Sequence, residues 1–262
     1  MDRTDATEWF PITLPSMGKY YDGKVPGGEL KLTPWTVAQE EIMVRYSETR
    51  SEELSHDLMR NNIQYPSGFQ YEDLLVTDQF FVLVNLRAIS FLDFTTQIHE
   101  CPECEHAEEV EVKFGNMTVR TSEDDDPEEP VPCFLPRKKI EVGLRFRRVS
   151  DIIAAAEYLK KVKVKADALS RKFLYARQLV TVDGGSLKFD EKMDFVSRLA
   201  VIDLEAMNRV IEKHAVGYTG QYLVSCTKCG VQDERWVPAI HSDFFRPKTA
   251  DIDKAVRMAE QN

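Results

Sequence analysis

Two periodicities divide this chain. Apolar residues alternate with polar ones in short stretches that predict strands, and recur three or four positions apart in longer stretches that predict helices. Leu30 and Leu32 alternate after Gly27 and Gly28, and Ile140, Val142, Leu144 and Phe146 alternate further on, so both stretches are expected to be half-buried strands. Residues 94–100 are β-branched and half apolar, and Val110, Val112 and Phe114 then alternate with Glu109, Glu111 and Lys113, which predicts a hairpin. Residues 222–225 and 232–237 predict a second hairpin of the same kind.

The helical period carries much of the remainder. Thr36 with Gln39 makes a capping-box pattern that opens a helix to about residue 47, and a second helix is expected over residues 52–61. Thr77 is placed to cap a helix carrying Phe80, Phe81, Val82, Leu83, Val84 and Leu86 to about Ser90; it is apolar on nearly every side and is expected to be buried. Ser150 is placed to cap a helix with Ile152, Ile153, Ala156 and Leu159 on one face. A further helix carries Leu169, Phe173, Leu174, Ala176 and Leu179, and Asp183-Gly184-Gly185 closes that segment with a turn. Asp190 and Asp203 read as caps of two more, the second with Ile202 and Met207 as a hydrophobic staple and Gly217 as its stop. Ile252, Val256 and Met258 predict a short terminal helix.

Two segments follow neither period. Residues 10–21 mix prolines, a glycine and aromatics, which predicts an extended arm lying along a surface, its own or a partner's; Leu14, Pro15, Gly18, Tyr20 and Tyr21 are its candidate contact residues. Glu123, Asp124, Asp125, Asp126, Glu128 and Glu129 are crowded together with prolines at 127, 130 and 132, a composition expected of a solvated linker. A calcium loop is the other reading of such acids, but the glycine and terminal glutamate of a calcium loop are missing. The expected divisions are an extended N-terminal arm and strand over 1–34, helices plus a first hairpin over 35–121, the acidic linker over 122–137, a helical insert over 138–217, a second hairpin over 218–247 and a C-terminal helix over 248–262. The class is α+β.

A chain of 262 residues that is 43% hydrophobic and 10% aromatic can bury a proper core in one large or two modest domains. No stretch reaches the roughly 18–20 consecutive apolar residues of a membrane span, and the first residues lack the apolar core of a signal peptide, so the chain is expected to stay where it is synthesised, without a membrane span. The net charge of −10 works against nucleic-acid binding unless a basic stripe is concentrated somewhere. Arg137, Lys138 and Lys139 form one candidate; Arg145, Arg147 and Arg148 a second; Lys160, Lys161, Lys163 and Lys165 a third. The second alternates with Leu144 and Phe146 and reads as the solvated face of a strand, and the third as a helix end whose dipole favours positive charge. Nucleic acid is therefore not expected as a partner.

The chemistry lies in the cysteines. Cys101-Pro102-Glu103-Cys104 and Cys226-Thr227-Lys228-Cys229 each place two sulfurs on one side of a tight turn at the tip of a predicted hairpin, and two such turns facing each other supply four thiolates in a tetrahedron. That donor set suits one zinc ion; iron uses similar turns and is the less favoured metal, and free thiols or a disulfide remain the non-metal readings. Gly230 can take the positive φ such turns need. Two hairpins with a metal between their tips make a zinc ribbon, here split by residues 105–225, so the metal would staple the ends of a large, mainly helical insertion. The fifth cysteine, Cys133, reads as a small filler residue, and five cysteines with four in metal spacing point to a reducing compartment. His106 follows Cys104 too closely for its ring to reach a site already filled by four sulfurs. His56, His99, His106, His214 and His241 are scattered, no serine or cysteine sits in a nucleophile context, and neither glycine pair opens a phosphate loop, so no enzyme activity is expected.

Several of these features together resemble a known family. The run Leu14-Pro15-Ser16-Met17-Gly18-Lys19-Tyr20-Tyr21, a strand, Pro34-Trp35-Thr36-Val37 with Glu40 and Glu41, a helix with Leu74, Leu75, Asp78, Leu83, Leu86, Arg87 and Ser90, the Cys101 and Cys104 knuckle and the closing Asp243-Phe244-Phe245-Arg246 are similar to the small baseplate proteins of T-even-type phages. The resemblance covers most of the chain. It implies a structural subunit of a contractile tail baseplate, in the hub region of the virion, assembled in the host cytoplasm and acting through contacts with other baseplate and tail proteins. Tail hubs are rotationally symmetric, so a trimer or hexamer is expected in the assembled state. A hub assembly factor absent from the mature particle and a zinc-ribbon nucleic-acid-binding protein are the alternative readings.

Overall fold

The structure is a computed structural model that describes residues 8–36, 39, 56–57, 59–162, 167–218, 221–236 and 256–257. Helix and sheet are mixed along the chain, and among the described residues the buried side chains gather in one large cluster and two smaller ones.

The large cluster is built around a helix and the N-terminal segment. Strand β1 (Phe10–Thr13) pairs antiparallel with β2 (Glu29–Leu32), Phe10 opposite Leu32, and β2 pairs with β3 (Ile63–Gln64). Between β1 and β2 the chain coils back on itself, and Leu14, Tyr20, Tyr21 and Val25 are almost fully buried. The segment thus packs on its own domain: aromatics and turn residues without a period are what a compact, turn-rich hairpin uses to fill a core. Gly18 belongs to this arrangement for a steric reason, since its φ is +79° and a Cβ there would lie 1.9 Å from the Val25 carbonyl oxygen.

Helix α1 (Val76–Ser90) buries Val82, Leu83, Val84 and Leu86, as its all-round apolar sequence predicts. Thr77 does not cap it. The helix begins one residue earlier, and the Val76 N–H is satisfied by the Arg147 carbonyl at 3.0 Å, a partner distant in sequence. Arg87, 1% exposed, donates to the carbonyls of Leu92 and Phe94 at 2.9 and 2.6 Å and lies over the Phe114 ring. One buried cation thereby fixes the point where the chain leaves this core for the first cysteine hairpin.

The segment expected to be a mainly helical insert, with one strand over residues 140–146, contains a sheet. Strands β7 (Val131–Leu135), β8 (Ile140–Leu144), β9 (Leu179–Val182) and β10 (Gly185–Ser186) form an antiparallel sheet in the order β10-β9-β8-β7. Its helices are α2 (Val149–Val162), α3 (Asp167–Gln178), α4 (Phe189–Ser197) and α5 (Val201–His214). The helix expected to reach Leu179 stops at Gln178, because Leu179-Val180-Thr181-Val182 is β-favouring and finds β8 as a partner. Cys133 is buried beside Leu135 and Val142.

Carboxylates placed as caps are used otherwise. Asp151, not Ser150, accepts the Arg148 N–H at 3.0 Å, and it also binds Arg145 and Arg177. Glu191 rather than Asp190 accepts the Lys188 N–H. Asp203 is fully buried and accepts the Arg137 N–H at 2.8 Å, tying the β7–β8 turn to α5. Ile202 is 59% exposed and forms no staple.

The acidic stretch is not simply a solvated linker. Asp126 is buried against Arg120 and His214, Glu129 accepts the Phe146 N–H and pairs with Arg148, and the Lys19 ammonium donates to the carbonyls of Glu123, Asp124 and Asp126. Asp126 and Glu129 are thus paired with His214 and Arg148, partners remote in sequence that local composition does not reveal. Beside it, β6 (Val119–Arg120) pairs with β11 (Gly217–Tyr218), so the long excursion between them is closed by a ladder and by the Arg120 hydrogen bonds to the His214 and Ala215 carbonyls.

Thr36 donates its N–H to Gln39 Oε1 at 2.9 Å, half of the expected capping box, and residues 56–57 and 59–61 are helical. The rest of those two helices, the residues 243–246 and, apart from 256–257, the expected terminal helix lie outside the described residues.

Candidate metal centre

Two hairpins carry the cysteines. In the first, β4 (Phe94–Glu100) pairs with β5 (Ala107–Lys113), Thr95 opposite Val112 and His99 opposite Glu108. In the second, β12 (Gln221–Ser225) pairs with β13 (Gln232–Trp236), Val224 opposite Asp233. The turns match bond for bond. Cys101 donates its N–H to the His106 carbonyl and accepts from Glu105, while Cys226 donates to Val231 and accepts from Gly230. Glu105 and Gly230 are thus equivalent, and both have positive φ, 56° and 73°.

These turns bring all four sulfurs within 4.8 Å of one another. Cys101 Sγ is 3.6 Å from Cys229 Sγ, and Cys104 Sγ is 3.7 Å from Cys226 Sγ, each first cysteine facing the second cysteine of the other turn. A tetrahedral ion with metal–sulfur bonds of about 2.3 Å requires sulfur–sulfur edges of about 3.8 Å. All four thiols are free, and these separations far exceed the roughly 2.05 Å of a disulfide. Cys101 and Cys226 are buried, Cys104 half-buried and Cys229 exposed.

The electrostatics ask for a cation. The Cys104 and Glu103 amides pull the Cys101 thiol down to about 7. Cys229, although favoured by the Val231 amide, is pushed up to about 12 by lost solvation and the neighbouring sulfurs. Four thiolates at this spacing repel one another, and a divalent ion removes that cost. The residues therefore fit a metal ion.

Other side chains brace the hairpins against each other. Glu108 accepts both the backbone N–H of Thr227, at 3.0 Å, and its hydroxyl, which lowers the glutamate pKa. Arg235 reaches back to the Glu100 carbonyl at 2.8 Å and pairs with Asp233. His99 is 3% exposed, and neither ring nitrogen has a hydrogen-bond partner among the described residues. Glu108 and Arg235 escaped sequence reasoning because each is one charged residue among several on an alternating strand, and only the facing of the two hairpins selects it.

The four cysteines proposed from spacing are thus brought together, and His106 is not among them. Leu14, Pro15, Gly18, Tyr20 and Tyr21 lie together but are buried in the protein's own core rather than displayed. Arg145 and Arg148 pair with Asp151 and Glu129 instead of forming a solvated cationic face. Among the described residues no helix is long and apolar enough to cross a membrane.

Comparison with known proteins supplies the context. No curated protein and no solved structure matches the chain. The family described as T4 bacteriophage base plate protein matches residues 12–246, a span that takes in the N-terminal core, both cysteine hairpins and everything between them. On that match the chain belongs to the T4 bacteriophage base plate protein family.

Proposed function

We propose that this protein is a structural subunit of the hub region of a contractile tail baseplate, in which one zinc ion held by Cys101, Cys104, Cys226 and Cys229 joins the two hairpins into a split zinc ribbon. The observation that carries the reading is the family match over residues 12–246, together with four free sulfurs at tetrahedral spacing inside it. A closed tetrathiolate leaves no open coordination position for a substrate, so its contribution is rigidity rather than catalysis. The protein acts by contact with other baseplate and tail proteins, its copies related by the rotational symmetry of the tail as a trimer or hexamer. It is assembled in the host cytoplasm.

Mass spectrometry of purified phage particles, with metal analysis of the isolated chain, tests this. The chain is expected in the particle, and one zinc per chain in the isolated protein. Finding it in infected cells but never in particles would turn the reading to a hub assembly factor, and purified wild type that is folded and metal-free would remove the zinc ribbon.

A further inference from the structure

A cavity of about 220 Å³ lies where the start of α1, the end of β8, α3 and α5 meet, with Val76, Leu144, Phe146, Met207 and Ile211 among its apolar lining. Arg147 also lines it, and this residue belongs to the basic run that looks solvated in the sequence. Its guanidinium is held in place. Nε donates to Gln178 Oε1 at 2.8 Å, Gln178 itself is 2% exposed, and the guanidinium carbon lies 5.7 Å from the centre of the Tyr175 ring. Tyr175 is fixed in turn by a 2.8 Å hydrogen bond from its hydroxyl to Asn208 Oδ1.

What Arg147 lacks is an ion-pair partner of its own, the charge of Asp151 favouring its guanidinium only from beyond pairing distance. Among the described residues it makes no ion pair, and its neighbour Asp151 is already shared by Arg145 and Arg177. Burial pulls the Arg147 pKa below the ordinary arginine value, and burial followed by Arg145 and Arg177 does the same to Lys192. Arg145, Arg147, Arg177 and Lys192 thus outnumber the one carboxylate among them, in a chain whose net charge is −10. Among the described residues the carboxylate on the cavity wall is the exposed Glu212, which makes no pair with Arg147. A partly desolvated cation beside an apolar hollow is costly unless an anion arrives.

We infer that this cavity is a binding site for a carboxylate carried directly on an apolar stem, the form in which a neighbouring polypeptide presents its C-terminal residue. The apolar walls take an aliphatic side chain and Arg147 takes the terminal carboxylate. A glutamate side chain would satisfy the cation but leave Leu144, Met207 and Ile211 facing empty space. A phosphate would meet one free guanidinium, apolar walls and Glu212. The inference is independent of the metal centre, since none of its residues lies on the cysteine hairpins.

Binding to the full chain is measured by NMR with three probes: acetyl-Gly-Gly-Leu with a free carboxylate, its C-terminal amide, and acetyl-Gly-Gly-Glu as the amide. The free acid is expected to bind, and both amides to bind at least ~10-fold more weakly, because the first leaves Arg147 unpaired and the second leaves the apolar walls unfilled. Arg147→Met is expected to abolish binding of the free acid, with Arg147→Lys intermediate. Failure of the free acid to bind, equal binding of the leucine amide, or wild-type binding by Arg147→Met would overturn the site. Equal binding of the glutamate probe would overturn its assignment to a chain terminus. The comparison of probes on the wild type stands even if a variant does not fold.

Discussion

The hydroxyl of Tyr21 lies 2.6 Å from Asp78 Oδ2 and accepts the Leu75 N–H at 3.0 Å, so one phenol satisfies a buried carboxylate and a helix start at once. Asp78 is completely buried, and Ser16 donates its N–H to the other carboxylate oxygen. Burial is the main cause that raises the Asp78 pKa, and the same burial raises that of Tyr21. This is the joint between the N-terminal hairpin and the central helix. Tyr21→Phe keeps the ring and deletes the joint, leaving Asp78 Oδ2 and the Leu75 N–H unsatisfied. The expected loss is ~2–3 kcal/mol, read from urea unfolding of wild type and variant. A change below about 0.5 kcal/mol would show that the joint contributes nothing to stability.

The matched cysteine turns make a second prediction. Glu105 and Gly230 hold the same position, yet only one of them is a glycine. A residue with a Cβ in the left-handed region costs roughly 1–2 kcal/mol, partly offset by the greater chain entropy glycine loses on folding. Glu105→Gly is therefore expected to stabilise the protein by about 0.5–1 kcal/mol and Gly230→Ala to destabilise it by about 1 kcal/mol. Thermal unfolding of the two variants should shift in opposite directions.

Asp126 predicts a pH dependence. Burial alone would raise its pKa, but the Glu123 amide, Arg120 and His214 together hold it down at about 2. A folded-state pKa below the unfolded value means that the stabilisation is fully present above about pH 4 and is lost as the pH falls toward 2. Asp126→Asn should cost roughly 2 kcal/mol near neutral pH, and the gap between variant and wild type should close on acidification across that window. A gap that is constant from pH 5 to about 2 would rule the carboxylate's charge out as its cause.

Metal removal should loosen a part of the molecule rather than the whole. The excursion between the hairpins is already closed by the ladder of Val119 and Arg120 with Gly217 and Tyr218, and the large core contains none of the four cysteines. Hydrogen exchange after chelation, or in Cys226→Ser, is expected to rise across residues 94–113 and 221–236, with α1 unchanged. Exchange that rises equally in α1 would make the ion a requirement for global folding.

Local sequence sufficed where neighbours in the chain are also neighbours in space. A Cys-x-x-Cys between two alternating stretches can hardly be anything but a turn at a hairpin tip, and both hairpins stand where the alternation puts them. The all-round apolar helix is buried for the same reason. Local reading failed where a partner comes from elsewhere. Leu179 continues a helical stripe until β8 offers a strand to pair with, and Asp203 sits where a cap belongs until the Arg137 amide claims it. Asp126 looks like one more solvated acid until Arg120 and His214 close over it.

By itself, then, the sequence determined the four cysteines that could hold a metal ion, the hairpins that present them and the buried central helix, because these follow from spacing and period within a few residues. Only the tertiary structure decided that the proline-rich segment is core, that the insertion contains a sheet, and that Arg147 lines a hollow without an ion pair among the described residues. Each of those depends on which surfaces meet across the chain, and burial, register and charge compensation are settled by that meeting and not by the order of residues along a single element.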